Sequence, residues 1–232
     1  MKKYIAMILT CSLLLALLSI PVGAANSHQV EEMDSATDFY ETYWIIENSV
    51  LQQISEETYL ELLSPQYYSF PVKESDETIS PMYTVSETYT AKSASTYYGS
   101  KIPVSPWSYY PTLPFAATSV TTYAYHSTTV SAAIKTQIRN SITAKLGVTV
   151  KESSGSASGN LAGSLGPAKE GMYARIMFQP KMAKVSGTVK KIKNYNNGQR
   201  VETYDVNSTY PVTLPNGVTN GIYTIQYSSK PL

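Results

Sequence analysis

Apolar residues between positions 39 and 63 fall into two runs. Phe39, Tyr43, Ile46, Val50 and Ile54 recur at spacings of four, three, four and four, with Trp44 and Leu51 beside them. That is the repeat of an amphipathic helix. Ser35 stands where an N-cap belongs, and acids in the first turn, Asp38 among them, suit the helix dipole. Ser55-Glu56-Glu57 opens a second short helix through Tyr59, Leu60, Leu62 and Leu63, and Ser64-Pro65 stops it. The expectation is an acidic helical hairpin, or one bent helix. Its apolar stripe must lie on something, because so short a helix does not hold alone in water.

From Ser64 to about Ala117 the chain is rich in Pro, Tyr, Ser and Thr, and seven prolines (Pro65, Pro71, Pro81, Pro103, Pro106, Pro111 and Pro114) forbid long regular elements. A strand is predicted for Met82 to Thr90, and Pro106 to Pro111 reads as an extended aromatic loop. The stretch is expected to be a linker, or a layer wrapped on the domain that follows.

Strand character begins at Thr118–Tyr125, which is β-branched and aromatic. Val130, Ile134, Ile138, Ile142 and Leu146 then recur every four residues and Gly147 closes the run, which predicts one amphipathic helix over about 130–146. Val148–Glu152 resumes a strand, and Ser153–Gly166 is a Ser/Gly/Ala tract that pairs weakly. Gly171–Gln179 alternates, with Met172, Ala174, Ile176 and Phe178 on one face. Val185–Lys193 and Gln199–Val206 flank Asn196-Asn197-Gly198, a hairpin signal. Asn216-Gly217 and Asn220-Gly221 precede a final strand, Ile222–Tyr227. The fold class expected is α+β: N-terminal acidic helices, then an antiparallel β-sandwich-like domain with one amphipathic helix. The expected divisions are a leader over 1–25, an acidic helical segment over 26–64, the Pro/Tyr-rich stretch over 65–117 and a basic β-rich domain over 118–232.

The leader changes the picture of where this fold works. Lys2 and Lys3, an uncharged run from Tyr4 to Ile20, Pro21, and small residues to Ala25 form the three parts of a cleavable secretory signal. The expectation is a secreted, extracellular protein cut near Ala25. The only cysteine, Cys11, would leave with the leader, so the mature chain forms no disulfides; an exported chain without them suggests a bacterial source. Charge is uneven. Residues 26–129 hold 3 cations and 13 anions, and residues 130–232 hold 13 cations and 4 anions. That contrast suggests that the acidic segment docks on the basic one within the same chain, as a cover or removable pro-segment.

Candidate chemistry is sparse. After the leader only His28 and His126 remain, so a Ser-His-Asp triad would have to use His126, and no metal or cofactor set is visible. Glu56, Glu57 and Glu61 are the carboxylates that could serve glycoside hydrolysis, although acids on a helical face are usually solvating. Gly155-x-x-x-Gly159-x-x-x-Gly163 lacks the Lys-Ser/Thr of a phosphate loop. Asn207-Ser208-Thr209 fits a glycosylation sequon. Trp107, Tyr109 and Tyr110 could stack on sugar rings or pack their own loop. The basic set Lys181, Lys184, Lys190, Lys191, Lys193 and Arg200 follows one hairpin and would attract a polyanion, or would simply solvate a β-edge.

The functional expectation is a non-enzymatic binding or surface-interaction protein. Its basic β-domain would contact an anionic cell-wall polymer or membrane surface, and no motif of a nucleic-acid reader appears. In outline, Thr118–Tyr125, the Val148–Leu165 tract and the Val130–Leu146 stripe resemble β-hairpin pore-formers of the aerolysin type. That resemblance implies membrane activity, yet the polar Gly/Ser tract lacks the alternating apolar face of a barrel. An extracellular hydrolase with a carboxylate site is the third reading.

Overall fold

The structure, a computed structural model, describes residues 39–47, 50–70, 84–109, 119–156 and 171–232. The leader, His28, Ser35, Tyr110, Gly159, Gly163 and most of the Ser/Gly tract lie outside the described residues. The strands are β1 (Phe39–Glu47), β2 (Val50–Ile54), β3 (Gln66–Ser69), β4 (Thr84–Tyr98), β5 (Ile102–Pro103), β6 (Ser108–Tyr109), β7 (Thr121–Tyr123), β8 (Tyr125–His126), β9 (Thr149–Val150), β10 (Ser153–Gly155), β11 (Tyr173–Tyr195), β12 (Gly198–Thr213) and β13 (Gly221–Ser228). The helices are α1 (Glu56–Leu63) and α2 (Ala132–Leu146). Among the described residues the protein is mostly β. One antiparallel sheet of eleven strands runs β2-β1-β13-β11-β12-β8, with β4, β5 and β6 also on β11, β3 on β4 and β9 on β12. β7 and β10 form a small separate pair.

Everything is organised on β11, 23 residues long, or roughly 75 Å of extended chain. The alternation expected at its start holds: Ala174, Ile176 and Phe178 are fully buried and Met172 nearly so. They pack with Val104, Tyr223, Ile225 and Tyr227. The opposite face is buried too, at Met177 and Gln179, and past Pro180 that face continues with Ala183, Val185 and Val189 under Ile134, Ile138 and Ile142 of α2. The Asn-Asn turn expected at 196–197 joins β11 to β12, with Tyr195 opposite Gly198.

α2 forms where its spacing predicts. Ser131 accepts a hydrogen bond from the Ile134 N–H, and Gly147 closes the helix in the left-handed region at φ 66°, its N–H donating to the Thr143 carbonyl, the C′ role that glycine fills without strain. α1 starts at Ser55, whose hydroxyl accepts from the Thr58 N–H. Its buried Tyr59 stacks on Tyr43 at 4.0 Å and donates to Gln179 Oε1 at 3.1 Å.

Residues 39–47 and 50–54 correct the expected N-terminal helix: they are the strands β1 and β2. β1 pairs with β13 from Phe39–Ser228 to Ile45–Ile222. Apolar residues occur on both of its faces, Tyr43 and Ile45 towards α1 and Tyr40, Trp44 and Ile46 towards the other cluster. A two-faced apolar run rich in aromatic and β-branched residues suits a strand covered on both sides. Glu41 on β1 is largely buried; burial pushes its carboxyl up, but hydrogen bonds from Gln226 and Lys101 outweigh that and hold it below the ordinary range. Lys101 lies 2.6 Å from Glu41.

β4 runs beyond the expected Thr90 to Tyr98, pairing with β11 along its length. Its register shifts between Ser186 and Gly187, leaving Lys92 as the extra residue of a bulge. The outer edge of β4 is capped by a side chain: Gln137 of α2 accepts from the Tyr89 N–H at 2.8 Å and donates to the Glu87 carbonyl at 3.0 Å. This amide stands in for a neighbouring strand and closes an edge that would otherwise invite pairing.

Tyr89 lies against Gly187, where an added Cβ would sit 2.5 Å from the ring. Gly187→Ala is therefore expected to lower stability by about 1–3 kcal/mol, the cost of overpacking a filled core, read as an earlier midpoint in urea unfolding. A midpoint equal to that of the parent chain would show that Tyr89 does not occupy this place.

Candidate functional site

Side chains paired across an antiparallel ladder share a face, so the register sorts the basic set. Lys181, Lys191 and Lys193 are on the α2 face of β11; Lys184 and Lys190 are on the opposite, outer face. Lys191 lies 2.6 Å from Glu87, Lys193 2.9 Å from Glu202, and Arg200 3.1 Å from Glu202. Lys181 is half-buried against the Tyr98 ring, and burial lowers its pKa. Lys184 and Lys190 are exposed, and neither has a carboxylate partner among the described residues. The structure thus brings the six together along one strand pair but divides them between two surfaces.

The two charge halves of the sequence interleave at this ribbon. Glu87, from the acidic half, neutralises Lys191. Lys92, one of its few cations, reaches across the outer face to Asp205 at 2.7 Å, and Thr188 also donates to that carboxylate. Hydrogen bonds from Lys191 and Ser131 hold the Glu87 carboxyl below its usual range, and those from Lys92 and Thr188 do the same for Asp205.

On the outer face a single cross-strand row collects residues far apart in sequence. Tyr67 on β3 pairs with Ser95, Ser95 with Lys184, Lys184 with Thr209 and Thr209 with Tyr125 on β8. The result is a trough of about 720 Å³, within which Asn207 also lies. Its two ends are tyrosines, Tyr67 at 79% exposure and Tyr125 at 66%; its floor is hydroxyls with the Lys184 ammonium at the centre. Four strand spacings separate the tyrosines, about 19 Å. Nothing local marks this site in the sequence, because register alone assembles it. The one compositional signal is twenty tyrosines against four phenylalanines, since a tyrosine carries a polar tip that tolerates exposure.

The serine, histidine and carboxylate sought for a triad do meet. Ser208 Oγ lies 2.9 Å from His126 Nδ1, and Glu152 Oε2 3.6 Å from His126 Nε2. Ser208 is only 1% exposed, so its hydroxyl is not presented to a substrate here. Glu152 also faces Lys135 and Arg139 of α2. Burial lowers the His126 pKa and Lys135 adds to that, against the pull of Glu152. The cluster fixes β8, and with it Tyr125, onto the body.

The remaining candidates are placed as follows. Glu56, Glu57 and Glu61 are on the exposed side of α1. Trp107 donates to the Leu232 carbonyl at 3.0 Å with Arg175 over its ring, and Tyr109 meets Tyr173 edge-on. Trp107 and Tyr109 thus rest against β11 and the C-terminal residue. No cluster of metal-ligating side chains is present among the described residues, and no helix there is long and apolar enough to cross a membrane.

The Glu87 pairing has a consequence for acid stability. A carboxyl held low in the folded state contributes stability in full above its ordinary value, about 4.3, and loses it as pH falls through the lower folded value. Glu87→Gln is expected to flatten the fall of the thermal midpoint below about pH 4.5, followed by circular dichroism from neutral to acid pH. An unchanged slope would place the Lys191–Glu87 pair outside the acid transition.

Comparison with known proteins adds no assignment to this geometry: no family model matches the chain, and neither a curated protein nor a solved structure does.

Proposed function

We propose that this is an exported, non-enzymatic surface-interaction protein that holds an anionic cell-wall polymer on the outer face of its long β-ribbon. The observation that carries this reading is Lys184, an exposed ammonium at the centre of the trough, without a carboxylate partner among the described residues and with Lys190 further along the same face. Among their neighbours Lys191 is paired with Glu87, and Lys193 and Arg200 share Glu202, so within this set Lys184 and Lys190 are the exposed cations with no carboxylate beside them among the described residues. The leader supports export, and the residues after it would contain no thiol to oxidise. In this reading β7 and β10 form the second leaf of a sandwich-like body that steadies the ribbon. The described part of the acidic segment, β1, β2 and α1, serves as a fixed part of that body.

The test is co-sedimentation of the purified protein with isolated cell walls and with anionic vesicles, across a salt series. Lys184→Glu is expected to weaken wall binding by about tenfold or more, the scale of one charge reversed at a contact. Lys230→Glu, which changes net charge equally, should leave it near the parent value. Equal losses in both variants would reduce the effect to net charge, and no wall binding at all would contradict the proposal. Binding to vesicles in preference to walls would favour the membrane-active reading.

A further inference from the structure

We infer that the trough takes a ring-bearing acidic polymer, a polysaccharide with sugar carboxylates, laid across the strands from Tyr67 to Tyr125 with one carboxylate on Lys184. This rests on the reading of the outer face as a polyanion site and names the chemistry of the ligand. Three features support it over a flexible polyphosphate chain.

The first is the ends. Both tyrosines are largely exposed, and each stands at the limit of the same cross-strand row. Aromatic side chains contribute mainly through their faces, and the apolar face of a sugar ring is the complementary surface on a polar polymer. A phosphodiester chain without rings offers nothing for two aromatic walls to hold.

The second is the floor. Between the walls lie Ser95, Thr209 and Asn207, with Ser93 and Ser186 in mutual hydrogen bond in the next row. Hydroxyls and amides donate and accept in turn, which matches a ligand dense in hydroxyl groups.

The third is charge density. Within the trough only Lys184 is cationic, whereas Lys92 is held by Asp205 at one side. A polyphosphate, charged at every phosphorus with no ring between, would crowd more uncompensated charges into the same span than a polymer with one carboxylate per sugar ring. A polymer that spans about 19 Å with carboxylates spaced along rings fits one central ammonium better. Its binding should weaken with salt like a single ion pair rather than a polybasic tract.

The experiment is a binding titration of the purified protein by calorimetry with three probes: a polygalacturonate oligomer, a neutral cello-oligosaccharide of similar length, and inorganic polyphosphate. The expected result is selective binding of the polygalacturonate. Tyr67→Ala and Tyr125→Ala should each weaken it by about tenfold, and Tyr67→Phe and Tyr125→Phe, which keep the rings, should retain it. Both residues are exposed, so thermal midpoints should stay at the parent value, and the Phe variants keep the test readable if an Ala variant fails to fold. Polygalacturonate binding that ignores both tyrosines would overturn the inference while leaving the polyanion reading intact. So would polyphosphate bound as tightly as polygalacturonate, or the neutral oligosaccharide bound equally well. Failure of every anionic probe, together with no wall binding, would remove both.

Discussion

The structure depends on an unequal covering of the two faces of β11. From Ile176 to Pro180 both faces are buried, one at Ile176 and Phe178 and the other at Met177 and Gln179 on the α1 side, whereas beyond Pro180 the strand packs beneath α2 on one face. Ile176 and Phe178 face Tyr223 and Ile225; Val185 and Val189 face the isoleucines of α2. Pro180 lies between the two regimes, its carbonyl accepting from Gly99 and the next N–H donating to Asn220. Past Pro180 one face packs under the helix, and the other is left as a surface. In the second half that surface is the outer face of β4, β11 and β12, lined with Ser and Thr, and there the trough forms.

The same constraint disposes of the charges. Neighbouring lysines on a strand point to opposite faces, so a basic run along a hairpin is not a basic patch. Lys191 and Lys193 enter a lattice with Glu87 and Glu202 near the edge of the α2 core. Lys184 and Lys190 face outward among hydroxyls. Two ion pairs, Lys191–Glu87 and Lys92–Asp205, join the two charge halves of the sequence across the ribbon, and Glu41 is compensated by Lys101 within the first half. Gln137 and the His126–Glu152 cluster then secure the flanks, one sealing the β4 edge and the other tying down β8.

Much of this was legible where local pattern and tertiary role agree. The alternation at 172–178 and the four-residue repeat from Ile134 to Ile142 specify their elements directly, as does Gly147 at the helix end. The Asn-Asn turn fixes the hairpin. Residues 39–54 misled because their apolar positions satisfy two periods at once, and what selects the strand is pairing with β13 from the far end of the chain. The second half of β4 was obscured because Ala94, Ser95 and Thr96 are buried there without being large apolar residues. The trough was beyond reach from sequence alone, since Tyr67, Lys184 and Tyr125 meet only through four successive registers.

The most direct test of the account is a lysine footprint of the purified protein, by reductive methylation and mass spectrometry, with and without isolated cell-wall polymer. The account predicts that Lys184 is reactive in the free protein and protected when the polymer is bound, with little change at Lys191 and Lys193. Protection confined to Lys191, Lys193 and Arg200-proximal positions, with Lys184 still reactive, would contradict it.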